Sequence, residues 1–116
     1  MPSERPARRF QDILDNIARI EAHVAGLDLD GFLTDAKTMD AVERCLSRIS
    51  EAAVKLGNSG PDLAPDVPWH DVRGLGNHLR HGYDAIVPAR LWTTVKEDLP
   101  LLARSCREAI GRLQER

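Results

Sequence analysis

Residues 39–57 read MDAVERCLSRISEAAVKLG. Met39, Val42, Leu46, Ile49, Ala53 and Leu56 recur at intervals of three and four, and Gly57 follows the last of them. That period marks one side of an α-helix, and so continuous a seam wants a partner helix along its whole length. Upstream, from Arg8 to about Ala25, Phe10, Ile13, Leu14, Ile17, Ile20 and Val24 define a second stripe, with Gly26 as its stop. Between the two, Leu27 to Thr34 is a short connection in which Asp30, Phe32 and Leu33 form a helical turn plugging one end of the core. Downstream, Asn58 to Pro68 (NSGPDLAPDVP) holds three prolines and reads as a surface loop without regular structure. Trp69 then opens a third long helix with Val72, Leu75 and Leu79 on its apolar side and Gly82 as its stop. After a turn through Asp84 to Pro88, a helix from near Ala89 carries Leu91, Trp92 and Val95. Pro100 either bends that helix or starts the last one, whose stripe is Leu101, Leu102, Cys106, Ala109, Ile110 and Leu113.

The composition agrees with this pattern. At 116 residues the chain suits one domain, 1–116, and 42% hydrophobic with only 4% aromatic residues makes an aliphatic core suited to helix packing. The expected fold is all-α, an antiparallel bundle of four to five main helices. Sixteen basic against eighteen acidic residues leave a net charge of −2, so there is no global attraction to nucleic acid or to an anionic membrane. Any phosphate recognition must be local. Cys45 and Cys106 fall on apolar helix faces and read as reduced core residues. No apolar run approaches the roughly 18 residues of a membrane span, and MPSERPARRF at the start lacks an apolar signal core, so a cytoplasmic protein is expected.

Chemistry concentrates in Asp71 to Tyr83, DVRGLGNHLRHGY, which gathers Arg73, Asn77, His78, Arg80, His81 and the only tyrosine among three glycines. A glycine inside a helix costs about 1 kcal/mol relative to alanine, so Gly74 and Gly76 break a local rule where polar groups are densest. On a helix Arg73, Asn77 and His81 lie within about 80° of one another, and Tyr83 shares a site with His81 only if the helix ends at Gly82. Three readings compete. The residues form a solvated face; or His78 and His81 ligate a metal, without an adjoining acidic or Cys ligand; or the segment performs metal-free phosphodiester chemistry, with histidine for proton transfer and arginine for the developing negative charge.

Ordered matches then extend along nearly the whole chain, about Arg9 to Leu113: FQDILDNIARIE (Phe10 to Glu21), DAVERCLSRISEAA (Asp40 to Ala53), the proline loop leading to Pro68-Trp69, GNHLRHGY (Gly76 to Tyr83), and Leu91-Trp92 followed by Asp98 to Leu102. On these residues the chain resembles the HepT-like proteins of the HEPN superfamily, toxin halves of HepT/MntA toxin–antitoxin modules. The resemblance implies an all-helical homodimer in which two R-x(4–6)-H-x-Y motifs face each other as an RNA endonuclease that needs no metal or cofactor. His81 and Tyr83 match the motif's H and Y, and Asn77 matches the polar residue after its arginine. By the same resemblance His81 helps activate the ribose 2′-hydroxyl or protonates the leaving oxygen. The family also implies an MntA-like nucleotidyltransferase antitoxin, as in type VII-like systems, which neutralises the toxin by AMPylation of the tyrosine equivalent to Tyr83.

One position departs from the pattern. The motif arginine is expected five residues before His81, where Gly76 stands, and helical periodicity offers no packing use for glycine there. Arg73 lies eight residues before His81, and Arg80 is adjacent to it. Either this is a natural variant in which Arg73 or Arg80 reaches the phosphate, or an Arg→Gly change has disabled an active toxin. The alternative function is a non-catalytic helical partner or nucleotide-binding module for a minimal nucleotidyltransferase.

Overall fold

In a computed structural model that describes residues 5–81 and 88–115, apart from the side chains of 77–81, the seam of residues 39–57 forms as a long helix, α3. The elements run α1 (Pro6–Val24), α2 (Leu29–Leu33), α3 (Ala36–Leu56), α4 (Ser59–Leu63), α5 (Trp69–His81), α6 (Pro88–Thr93), a π-helical turn (Thr94–Asp98) and α7 (Leu99–Gln114). Among the described residues there is no strand. The all-α expectation is met, and α3 has partners on both flanks, α1 on one and α5 on the other, while α1 also packs on α7.

The ends of the helices are where the stop and start residues put them. Gly26 and Gly57 take φ of +80° and +53°, values that side chains beyond glycine rarely adopt, and each lies at or just past a helix C-terminus. Asp28 caps α2 by accepting the Gly31 N–H at 2.8 Å, and Asp35 caps α3 by accepting the Thr38 N–H at 3.0 Å and its hydroxyl at 2.8 Å. Those hydrogen bonds favour the ionised Asp35 carboxylate and lower its pKa below 3.8. Phe32 is fully buried against Trp92, with ring centroids 5.2 Å apart, so the α2 turn does plug the core.

One expectation needed revision, and one element was not expected. The stretch Asn58 to Pro68 is not wholly irregular: Ser59–Leu63 is the short helix α4, which buries Gly60 and Leu63. Pro61 does not prevent it, because proline sits in the first turn, where the N–H it lacks would have had no intrahelical acceptor. At the other end, Pro100 stands in the first turn of the last helix, α7, as expected, and what periodicity did not show is the π turn that leads into it. Helix runs from Pro88 to Gln114 without a break, and the π turn just ahead of Pro100 closes with the Leu99 N–H donating to Thr94 O. Leu91, Val95, Leu99, Leu102, Cys106 and Ala109, at steps of four, four, three, four and three, are all buried through the π turn.

Both cysteines are buried free thiols, as expected, and burial pushes Cys106 up to about 12. Among the described residues no helix is long and apolar enough to cross a membrane.

Candidate active site

Helix α5 carries the polar segment, and its placement starts at Trp69. The indole is 5% exposed, donates from Nε1 to Ala64 O at 2.8 Å, and meets Phe10 edge-on with centroids 6.2 Å apart. Gly60 of α4 lets the ring in: a Cβ there would stand 3.0 Å from Trp69 Cε2. A buried aromatic tied by its one polar atom fixes the first turn of α5.

Further along, α5 runs antiparallel to α3 and is joined to it by side chains. Arg73 Nη2 donates to Gly57 O at 2.7 Å, and its Nε reaches Ala53 O at 3.4 Å. The last carbonyls of a helix have no intrahelical partner, so this guanidinium completes the C-terminus of α3 and opposes its negative dipole end. One turn away, the hydroxyl of Ser50, 4% exposed, donates to Arg73 O at 2.7 Å and accepts the Gly76 N–H at 3.0 Å. Ser50 is the polar residue that reading for chemistry overlooked. The available signal was a hydroxyl on the buried seam between Ile49 and Ala53, where a polar side chain must find a partner.

These contacts change the meaning of two positions. Arg73 is half-buried with its guanidinium occupied by α3 backbone, so the solvated polar face drawn from periodicity does not describe it. Gly76 is buried where α5 meets α3, with its N–H bonded to Ser50. Asn77, Arg80 and His81 lie on the last turn and a half of α5, which is helical through His81; their side chains, and that of His78, lie outside the described residues. So do Gly82 and Tyr83, and with them the expected helix stop and return of the tyrosine.

Beside α5, a groove of about 840 Å³ opens toward α6 and α7, floored by Val72, Leu75, Leu91 and Leu102 and edged by His70, Arg90 and Asp98. Gly74 borders it, and a Cβ at that glycine would meet nothing within 4 Å. Toward the N-terminal half of α3, Glu43 has its pKa raised above 4.5, first by burial and then by neighbouring Asp40. Among the described residues no three His, Cys, Asp or Glu side chains gather in a way that would hold a metal ion.

An all-helical domain whose glycine-bearing polar helix packs on its longest helix defines the class. Residues 13–109 match the model of the Ribonuclease HepT-like family, and the chain belongs to that family. It is 37% identical over 93 residues to a protein of Thermococcus cleftensis named probable ribonuclease HepT, covering 80% of this chain and 84% of the relative. A Methanocaldococcus jannaschii protein that bears an RNase name is 33% identical over 103 residues, 88% of this chain and 94% of the relative. A second protein of that organism, also with an RNase name, is 26% identical over the full 116 residues of both. No solved structure matches.

Proposed function

We propose that this chain is an RNA endonuclease that works without a metal as a homodimer, the toxin of a toxin–antitoxin pair, silenced by transfer of AMP onto Tyr83. The observation that carries the reading is the family membership together with the sequence run Gly76 to Tyr83. In this reading the ribose 2′-hydroxyl gives its proton to the imidazole of one His81 and attacks the adjacent phosphorus. The bond to the 5′-oxygen breaks, and the imidazolium of the second protomer's His81 protonates that oxygen, leaving a 2′,3′-cyclic phosphate and a 5′-hydroxyl. Asn77 orients the phosphate and arginine stabilises the charge that develops on it. AMP on Tyr83, two residues from His81, would fill the cleft with bulk and negative charge and so exclude RNA.

The test is incubation of the purified protein with RNA in the presence of a chelator, beside His81→Ala and Gly76→Arg. Cleavage by the parent and its loss in His81→Ala is the expected result. If neither the parent nor Gly76→Arg cuts RNA, the nuclease reading fails for this chain.

A second reading has its own support. Arg73 is occupied by α3 and Gly76 carries no cation, which leaves the segment poor in charge for cutting RNA and suits a non-catalytic partner of a nucleotidyltransferase. Mass spectrometry of the protein after co-expression with a genetically adjacent nucleotidyltransferase examines the regulatory step. Absence of an AMP adduct on Tyr83 would remove it.

A further inference from the structure

Arg73 and Ser50 join α3 to α5 at two successive heights. The guanidinium reaches Gly57 O and Ala53 O near the end of α3, and the Ser50 hydroxyl bridges Arg73 O and the Gly76 N–H one turn earlier on α3. Arg73 and Gly76 are separated by three residues, about 4.5 Å along the axis. A helix held at one point can still slide or turn; two bonded levels at that spacing remove both freedoms. The guanidinium suits this task because it reaches the two carbonyls from two different nitrogens of one rigid plane, whereas a lysine ammonium has all three donors on one atom. The same occupation argues against a second duty: to meet an RNA phosphate, Arg73 would have to abandon a 2.7 Å bond and leave Gly57 O with only the longer 3.4 Å contact from the Gly60 N–H.

The geometry points to Arg73 and Ser50 as positioning residues, a clamp that sets the height and rotation of the α5 turn bearing Asn77, Arg80 and His81 and leaves Arg80 to meet the RNA phosphate. This rests on the ribonuclease reading of the chain for its catalytic consequence, but the clamp has a readout of its own.

Hydrogen exchange of the α5 amides, followed by mass spectrometry on the RNA-free protein, reads the clamp directly in Ser50→Ala, Arg73→Met and Arg73→Lys. Ser50→Ala and Arg73→Met are expected to speed exchange across residues 70–81 by about tenfold relative to α1, the loss of one good hydrogen bond each, with Arg73→Lys intermediate. Unchanged exchange in both would overturn the clamp whether or not the protein cuts RNA. The catalytic consequence is read from cleavage of a short ribo-oligonucleotide over a salt series. Arg73→Met should lower kcat and leave the salt dependence of KM alone, with partial recovery in Arg73→Lys, whereas Arg80→Met should lower the salt slope by about one. A drop of about one in the salt slope for Arg73→Met, with α5 exchange unaltered, would make Arg73 a phosphate contact and overturn the assignment. If the parent and Gly76→Arg are both inert toward RNA, the ribonuclease reading falls, and exchange alone decides the clamp.

Discussion

Replacing Gly60 by alanine is expected to destabilise the protein although the position lies in a helix, where alanine is the better helix former. The added Cβ would stand 3.0 Å from Trp69 Cε2 and 3.1 Å from Cδ2, against the roughly 3.5–4.0 Å of a comfortable carbon contact. The ring has nowhere to go, since its Nε1 is bonded to Ala64 O at 2.8 Å and Phe10 meets it edge-on. Overpacking of this kind costs about 1–3 kcal/mol, and the gain from removing glycine's freedom in the unfolded chain offsets about 0.4–1 kcal/mol of it. The net loss is therefore about 0.6–2 kcal/mol. With an unfolding entropy of about 2.1 cal/mol/K per residue, 116 residues give about 0.24 kcal/mol/K, so Tm should fall by about 3–8 °C. Thermal unfolding followed by circular dichroism measures this, with Gly74→Ala as the control. A Cβ at Gly74 meets nothing within 4 Å, so that substitution should leave Tm unchanged or raise it by a few degrees, for a gain of up to about 1 kcal/mol. If Gly60→Ala melts with or above the parent, the tight seat of Trp69, and with it the anchoring of α5 by that ring, is wrong.

Three further outcomes follow from buried groups. Gly76→Arg begins from a buried backbone position against Ser50, so it should melt below the parent by the equivalent of about 1–3 kcal/mol; a melt at or above the parent would mean that α3 does not press on this position. Glu43 has its pKa raised by burial and then by Asp40, so folding penalises its charged form above the folded pKa and not below the ordinary value of 4.5. Glu43→Gln should accordingly stabilise the protein at neutral pH, with the gain fading as pH falls toward 4.5 in Tm measured against pH. Cys106, pushed by burial to about 12, stays protonated at neutral pH, so iodoacetamide should label it only after denaturation; prompt labelling of the native protein, read by mass spectrometry, would contradict its burial.

Much of the architecture was legible because it depends on period and punctuation. The three-four repeat from Met39 to Leu56 requires a helix with a long apolar seam whatever lies beside it, and Gly26 and Gly57 mark stops through a backbone property that belongs to glycine itself. The family too was readable in one dimension, since it rests on the order of matched residues. Partner choice was not readable. That the Ser50 hydroxyl joins α5 rather than solvent, that Arg73 completes α3 instead of facing a cleft, and that Gly76 is buried at a helix crossing all depend on residues 16 or more positions apart. Helical phase places a side chain on a face but does not say which neighbour that face meets. The π turn before Pro100 belongs with these, because a sequence shows the missing N–H of proline but not whether the surrounding core will hold the helix together through it. Sequence by itself determined the long helices, their apolar sides and the segment in which polar groups and glycines are densest. Tertiary structure decided which of that segment's polar groups are bonded to backbone, since hydrogen bonds between helices form only where packing has already brought donors and acceptors within about 3 Å.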